Sequence, residues 1–148
     1  MANVGQRRVA IAAWIFVAVS VVQGVQALAD ALPGHAFDST WLDHARFHVT
    51  MGVTNQLGFA IAAVAIALVP FRQRQRWSWW ILLAFALLST VALIPAALWH
   101  GSGPPAGAWV LIAACIVAMI IALAMTADVG LRPVRVHDRP GTGGRIDE

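Results

Sequence analysis

Four stretches of the chain are apolar, about 20 to 25 residues long, and free of Asp, Glu, Lys and Arg. They cover about 9–28, 47–71, 77–98 and 107–127. About 20 helical residues cross the roughly 30 Å of hydrocarbon in a bilayer. Within it, backbone polar groups must be satisfied inside a helix or a closed barrel. These runs are too long and too continuous for barrel strands, which alternate residue by residue. The sequence therefore predicts an all-α fold, an integral membrane four-helix bundle over 1–130, with a tail over 131–148. The tail is rich in Pro, Gly and charge, lacks an apolar face, and is expected to be disordered. Composition agrees, with 59% hydrophobic and 11% charged residues, where a soluble domain carries about 25% charge.

The arginines predict orientation. Arg7 and Arg8 precede the first run, and Arg72, Arg74 and Arg76 separate the second from the third. Arg132, Arg135, Arg139 and Arg145 follow the fourth, and only Arg46 falls on the other side. Basic residues collect on the cytoplasmic side, so a multi-pass protein of the cell membrane with both termini cytoplasmic is expected. Trp77, Trp79 and Trp80 then fall at the inner interface, and Trp41, Trp99 and Trp109 at the outer one. The net charge of +3 does not point to nucleic acid, because the arginines flank the apolar runs, where anionic headgroups lie. Arg7-Arg8, an apolar run and Ala27-Leu28-Ala29 have the outline of a cleaved secretory signal. The run is longer than such a signal needs and is interrupted by Gln23 and Gln26, so an uncleaved helix is expected.

In lipid, helices associate through small residues that permit close approach. Ala114, Ala118, Ala122 and Thr126, at steps of four, form the expected packing ridge of the fourth run. Pro95 is expected to bend the third. Cys115, the only cysteine, falls mid-run and is expected to be buried; it excludes an intrachain disulfide.

The polar residues converge at the outer end. Gln23, Gln26 and Asp30 form one helical stripe; His44, His48, Met51 and Asn55 form another. His35, Asp38, Asp43 and His100 lie in the same outer region, whereas His137 is in the tail. Polar groups near hydrocarbon usually face a bundle interior or a wet cavity. The two stripes are therefore expected to face each other and line a shallow pocket. Gln23, Gln26, Asp30, His44, Arg46, His48 and Asn55 would supply its ligand-binding groups.

His44 and His48 carry three readings: structural anchors at the interface, a metal pair, or acid–base groups working with an Asp. Asp30, Asp38 or His100 could complete a metal site. The H-x-x-x-H spacing recurs by chance, and no glutamate supplies an H-E-x-x-H base. Axial haem ligation could come from His48 with His100, but not from His44 with His48, since the two ligands must approach from opposite sides. Arg46 follows Asp43 by three residues and is expected to pair with it on one helix face; the functional alternative is a grip on a headgroup or carboxylate.

The run Trp41-Leu42-Asp43-His44-Ala45-Arg46-Phe47-His48 resembles a W-x-x-H-A-R/K-F-H signature of small four-helix membrane proteins of unknown function in bacteria and fungi. Helix number and size are similar to those of DoxX-like membrane proteins, although no DoxX motif is matched. The resemblance implies a four-helix fold and marks His44, Arg46 and His48; it carries no activity.

Three functions fit: a site for a small lipophilic molecule near the outer leaflet, a metal- or haem-binding membrane protein, and an accessory subunit packed against other membrane subunits or its own copies. A transporter fits less well, since no ionisable residue lies mid-span and no broken helix pair is evident.

Overall fold

The computed structural model describes residues 4–91 and 106–131. Helix α1 covers Val4–Gln26 and continues, more widely wound, as a π-helical stretch over Ala27–Ala36. Helix α2 covers Asp43–Ile66 and ends in a second π-helical stretch, Ala67–Phe71. Then follow α3 (Arg76–Val91), α4 (Ala106–Met125) and a short α5 (Ala127–Leu131). Apart from the connections at 37–42 and 72–75 and a turn at Thr126, the described residues are helical, and no strand occurs among them. The expected bend at Pro95, the residues Trp99 and His100, and the tail beyond Leu131 lie outside them.

Both π-helical stretches contain a proline, Pro33 and Pro70. A prolyl ring removes one amide donor and collides with the carbonyl four residues back. Wider winding carries the chain past that collision without breaking the helix. This lets the apolar helices run longer than the expected spans. Val4–Gly34 (31 residues) and Asp43–Phe71 (29 residues) are each long and apolar enough to cross a membrane. Within the described residues α3 and α4 contribute shorter apolar stretches, Arg76–Leu88 and Trp109–Met125.

Helix α1 lies at the centre, between α2 and α4, and α3 packs over α5 and the end of α2. Its buried face repeats at helical spacing: Val9, Ala12, Ala13, Phe16, Val19, Ser20 and Gly24. Around it gather Ala63, Ala67 and Phe71 of α2 and its extension, Leu82 and Trp79 of α3, and Cys115, Met119 and Ala122 of α4. Cys115 is buried, as expected. The expected ridge of α4 is turned by about one residue: Ala122 and Thr126 are buried, whereas Ala118 is half-buried and Ala114 exposed. Cys115 and Met119 take the upper positions because larger side chains fill the space beside α1.

This core occupies one end of the molecule, where the chain turns between α2 and α3. Arg74 has a left-handed backbone there (φ 60°). Its guanidinium donates to Asp128 of α5 at 2.5 Å, and it lies against Gly5 of α1. Arg76 Nε donates to the Gly130 carbonyl at 2.8 Å, and Trp79 Nε1 donates to the Leu123 carbonyl at 3.3 Å. Three separate chain segments that carry or adjoin the arginines therefore meet at one end, and the helices run up and down between this end and the opposite one.

Candidate functional site

The opposite end carries the polar stripe of α2. Among the described residues the buried ones there are few: Gly24 of α1, Ala36 and Val53. Helices α1 and α2 approach at Gly24, where an added Cβ would meet Leu57 Cδ2 at 3.7 Å and Ala60 Cβ at 3.8 Å. Gln23 and Gln26 flank this crossing and are half-buried.

Helix α2 docks through Val53, Leu57, Ala60, Ala63 and Ala67. At about 100° per residue, the stripe His44–His48–Met51–Asn55 points roughly 140° away from that docking face. All four of its residues are exposed. The structure thus does not bring the two polar stripes face to face. The apolar, small-residue side of α2 takes the contact with α1 because it fits closely and desolvates no amide or imidazole. Among the described residues, no hydrogen bond joins Gln23 or Gln26 to His44, His48 or Asn55. The backbone of Asp30 and His35 lies in the π-helical stretch Ala27–Ala36, and their side chains lie outside the described residues.

The α2 stripe has internal order of its own. His44 Nε2 and His48 Nε2 are 3.0 Å apart, with ring centroids 4.4 Å apart and planes at 85°. Phe47 meets the His48 ring edge-to-face at 5.6 Å. Arg46 and Asp43 form the expected ion pair. Arg46 is turned toward the docking side and half-buried, whereas Asp43 is almost fully exposed. One turn further in, the Thr50 and Thr54 hydroxyls donate to the carbonyls of Arg46 and Thr50, each at 2.9 Å. Helical Thr residues hide their hydroxyls in this way where water is scarce. In the preceding loop, Asp38 caps Thr40 through its amide (2.9 Å) and hydroxyl (2.7 Å).

No cluster of three or more His, Cys, Asp or Glu side chains that could hold a metal occurs among the described residues. Two imidazoles are therefore what the described side chains offer a metal. Among the described residues no buried side-chain polar atom lacks a partner, and His44, His48 and Asn55 present their polar groups at the surface.

Sequence reasoning did not anticipate the arginine-end contacts. Arg74 with Asp128 and Arg76 with Gly130 join residues 54 apart in the chain. One clue is present: Asp128 is an acid just beyond an apolar run, four residues before Arg132 in the sequence.

Comparison with protein-family models finds no family that matches the chain, and no curated protein and no solved structure matches it.

Proposed function

We propose that the chain is a multi-pass protein of the cell membrane, with four spans and both termini cytoplasmic, that binds the polar head of a small lipophilic molecule near the outer leaflet. The observation that carries the membrane reading is the apolar surface on every long helix. Trp14, Val21 and Val25 of α1 are exposed, as are Phe59 and Ile61 of α2, Leu87 and Leu88 of α3, and Val110, Val117 and Ile120 of α4. Water-soluble monomers rarely expose apolar patches beyond a few hundred Å²; acyl chains would solvate such a surface. A 31-residue helix is about 46 Å long at 1.5 Å per residue, enough to cross roughly 30 Å of hydrocarbon with some tilt.

The ligand site proposed is lateral. Phe47, Met51 and Phe59 lie on the same exposed side of α2 as His44, His48 and Asn55, the mixture of apolar wall and few polar groups that lipophilic ligands use. Arg46, Gln23 and Gln26 would contribute from the flank toward α1, and Asp30 is kept as a candidate from its place in the sequence.

Two experiments test this reading. Cysteines introduced at Ser39 and Ser102 should react with an impermeant thiol reagent in intact cells, and one at Gly143 should not; labelling at Gly143 refutes the orientation. Mass spectrometry of the detergent-purified protein should find a specific retained lipophile that is lost in His44→Ala and Asn55→Leu. A wild type that retains nothing specific refutes the ligand.

A second reading has its own support. Gly52 and Gly58 on α2 have nothing within 4 Å of an added Cβ, and Asn55 lies exposed between them. Small residues around an amide suit close approach of another helix. If α2 docks a partner subunit or a second copy, Asn55→Leu alters the oligomeric state and leaves any retained lipid unchanged.

A further inference from the structure

The exposed imidazole pair has a geometry that a lipophilic ligand does not require. His44 and His48 are one turn apart on α2 and direct Nε2, not Nδ1, at each other across 3.0 Å. Two uncharged imidazoles can share such a gap only if one Nε2 carries a hydrogen, because two bare lone pairs would repel. A metal ion resolves the same geometry by accepting both lone pairs, with each ring keeping its hydrogen on Nδ1.

The bite can be tested against coordination chemistry. With metal–nitrogen bonds of about 2.0–2.1 Å, a 3.0 Å separation subtends roughly 94° at the metal. Neighbouring ligands in a tetragonal site stand about 90° apart, and tetrahedral ligands would need a wider nitrogen–nitrogen gap of roughly 3.3 Å. Imidazole nitrogens exclude Mg2+ and Ca2+, which take oxygen ligands. Among divalent ions that accept imidazole, affinity peaks at Cu2+. We propose that His44 and His48 form a bidentate site for a borderline divalent transition-metal ion of the Cu2+ type, with its remaining positions open to water or a small ligand.

The surroundings support the site. Both rings are exposed and point away from the face of α2 that packs on α1, so a coordination sphere has room. The Phe47 ring restricts His48 from the side. The positive end of the α2 dipole opposes a cation, and the Asp43 carboxylate in the same turn is balanced by its ion pair with Arg46, so binding rests on the two imidazoles. Such a site needs neither a bilayer nor a lipophilic ligand, so it can stand or fall separately from the function proposed above.

The test is Cu2+ titration of the full-length, tag-free protein in detergent, read by electron paramagnetic resonance. The expected spectrum shows one Cu2+ per chain with nitrogen hyperfine structure from two imidazoles. His44→Ala and His48→Ala should each weaken binding at least tenfold, while His137→Ala leaves it unchanged. Thermal melts in metal-free buffer should show both site variants folded, since neither ring is buried. Were a variant to unfold, the wild-type spectrum would decide, because a site with only oxygen ligands or one nitrogen overturns the proposal. So does a wild type that binds Cu2+ no more tightly than the double variant. Lipid retention measured on the same samples reports separately on the lipophilic ligand.

Discussion

Gly130→Ala tests whether the arginine end is packed as described. A Cβ built on Gly130 would overlap Cε3 and Cδ2 of Trp79 and meet its Cγ at 3.0 Å. The indole cannot easily move aside. Trp79 is 7% exposed, donates to the Leu123 carbonyl, and stands edge-to-face on Trp80 with centroids 5.0 Å apart. If the ring moves, a hydrogen bond of about 1 kcal/mol and an aromatic pair of about 0.5–1.5 kcal/mol are weakened. If α5 moves instead, the Arg76–Gly130 and Arg74–Asp128 contacts are strained. Overpacking of this kind costs about 1–3 kcal/mol, and the better helix propensity of Ala returns at most about 1 kcal/mol. The expected net is a loss of about 1–2 kcal/mol. Gly52→Ala is the control: nothing lies within 4 Å of its added Cβ, so it should gain about 0.4–1 kcal/mol. Both are read as reversible denaturation in mixed micelles by circular dichroism, with tryptophan fluorescence reporting on the Trp79 environment. Equal stability of the two variants would refute the packing of Trp79 on α5. Trp79→Phe combined with Gly130→Ala should recover part of the loss.

Arg74→Gly should change stability by less than about 1 kcal/mol, because glycine relieves the left-handed backbone while the half-exposed ion pair with Asp128 is lost; a drop of several kcal/mol in the same denaturation assay would contradict this. Deleting residues 1–29 should abolish folding, since Val9, Ala12, Ala13, Phe16 and Val19 form the centre of the core. Accordingly the intact mass of the purified protein should show α1 retained, and a species beginning at Asp30 would refute it.

The helices were legible because their signal is local. A long uncharged apolar run needs only its own composition to be recognised, and each expected run coincides with a helix wherever the structure describes it. Their ends were less legible. Arg7 and Arg8 fall inside α1 because arginine is a good helix former whose long stem reaches water from within the helix. Pro33 and Pro70 fall inside helical stretches because wider winding absorbs the ring. Neither effect leaves a mark in a hydropathy profile.

The candidate site shows the limit more sharply. Periodicity correctly placed His44, His48, Met51 and Asn55 on one face of α2, but it could not say which way that face turns. Rotation of a helix about its axis is decided by its best-fitting partner surface, and on α2 that surface is the Val53–Leu57–Ala60–Ala63–Ala67 side. A rule from water would still have favoured the observed answer, since polar groups turn outward there. A rule from lipid favours the reverse, since polar groups turn inward. The outward turn of Asn55, about three helical turns into α2, follows the rule from water and runs against the rule from lipid. The orientation is thus fixed by the partner surface of α2, which periodicity alone does not reveal.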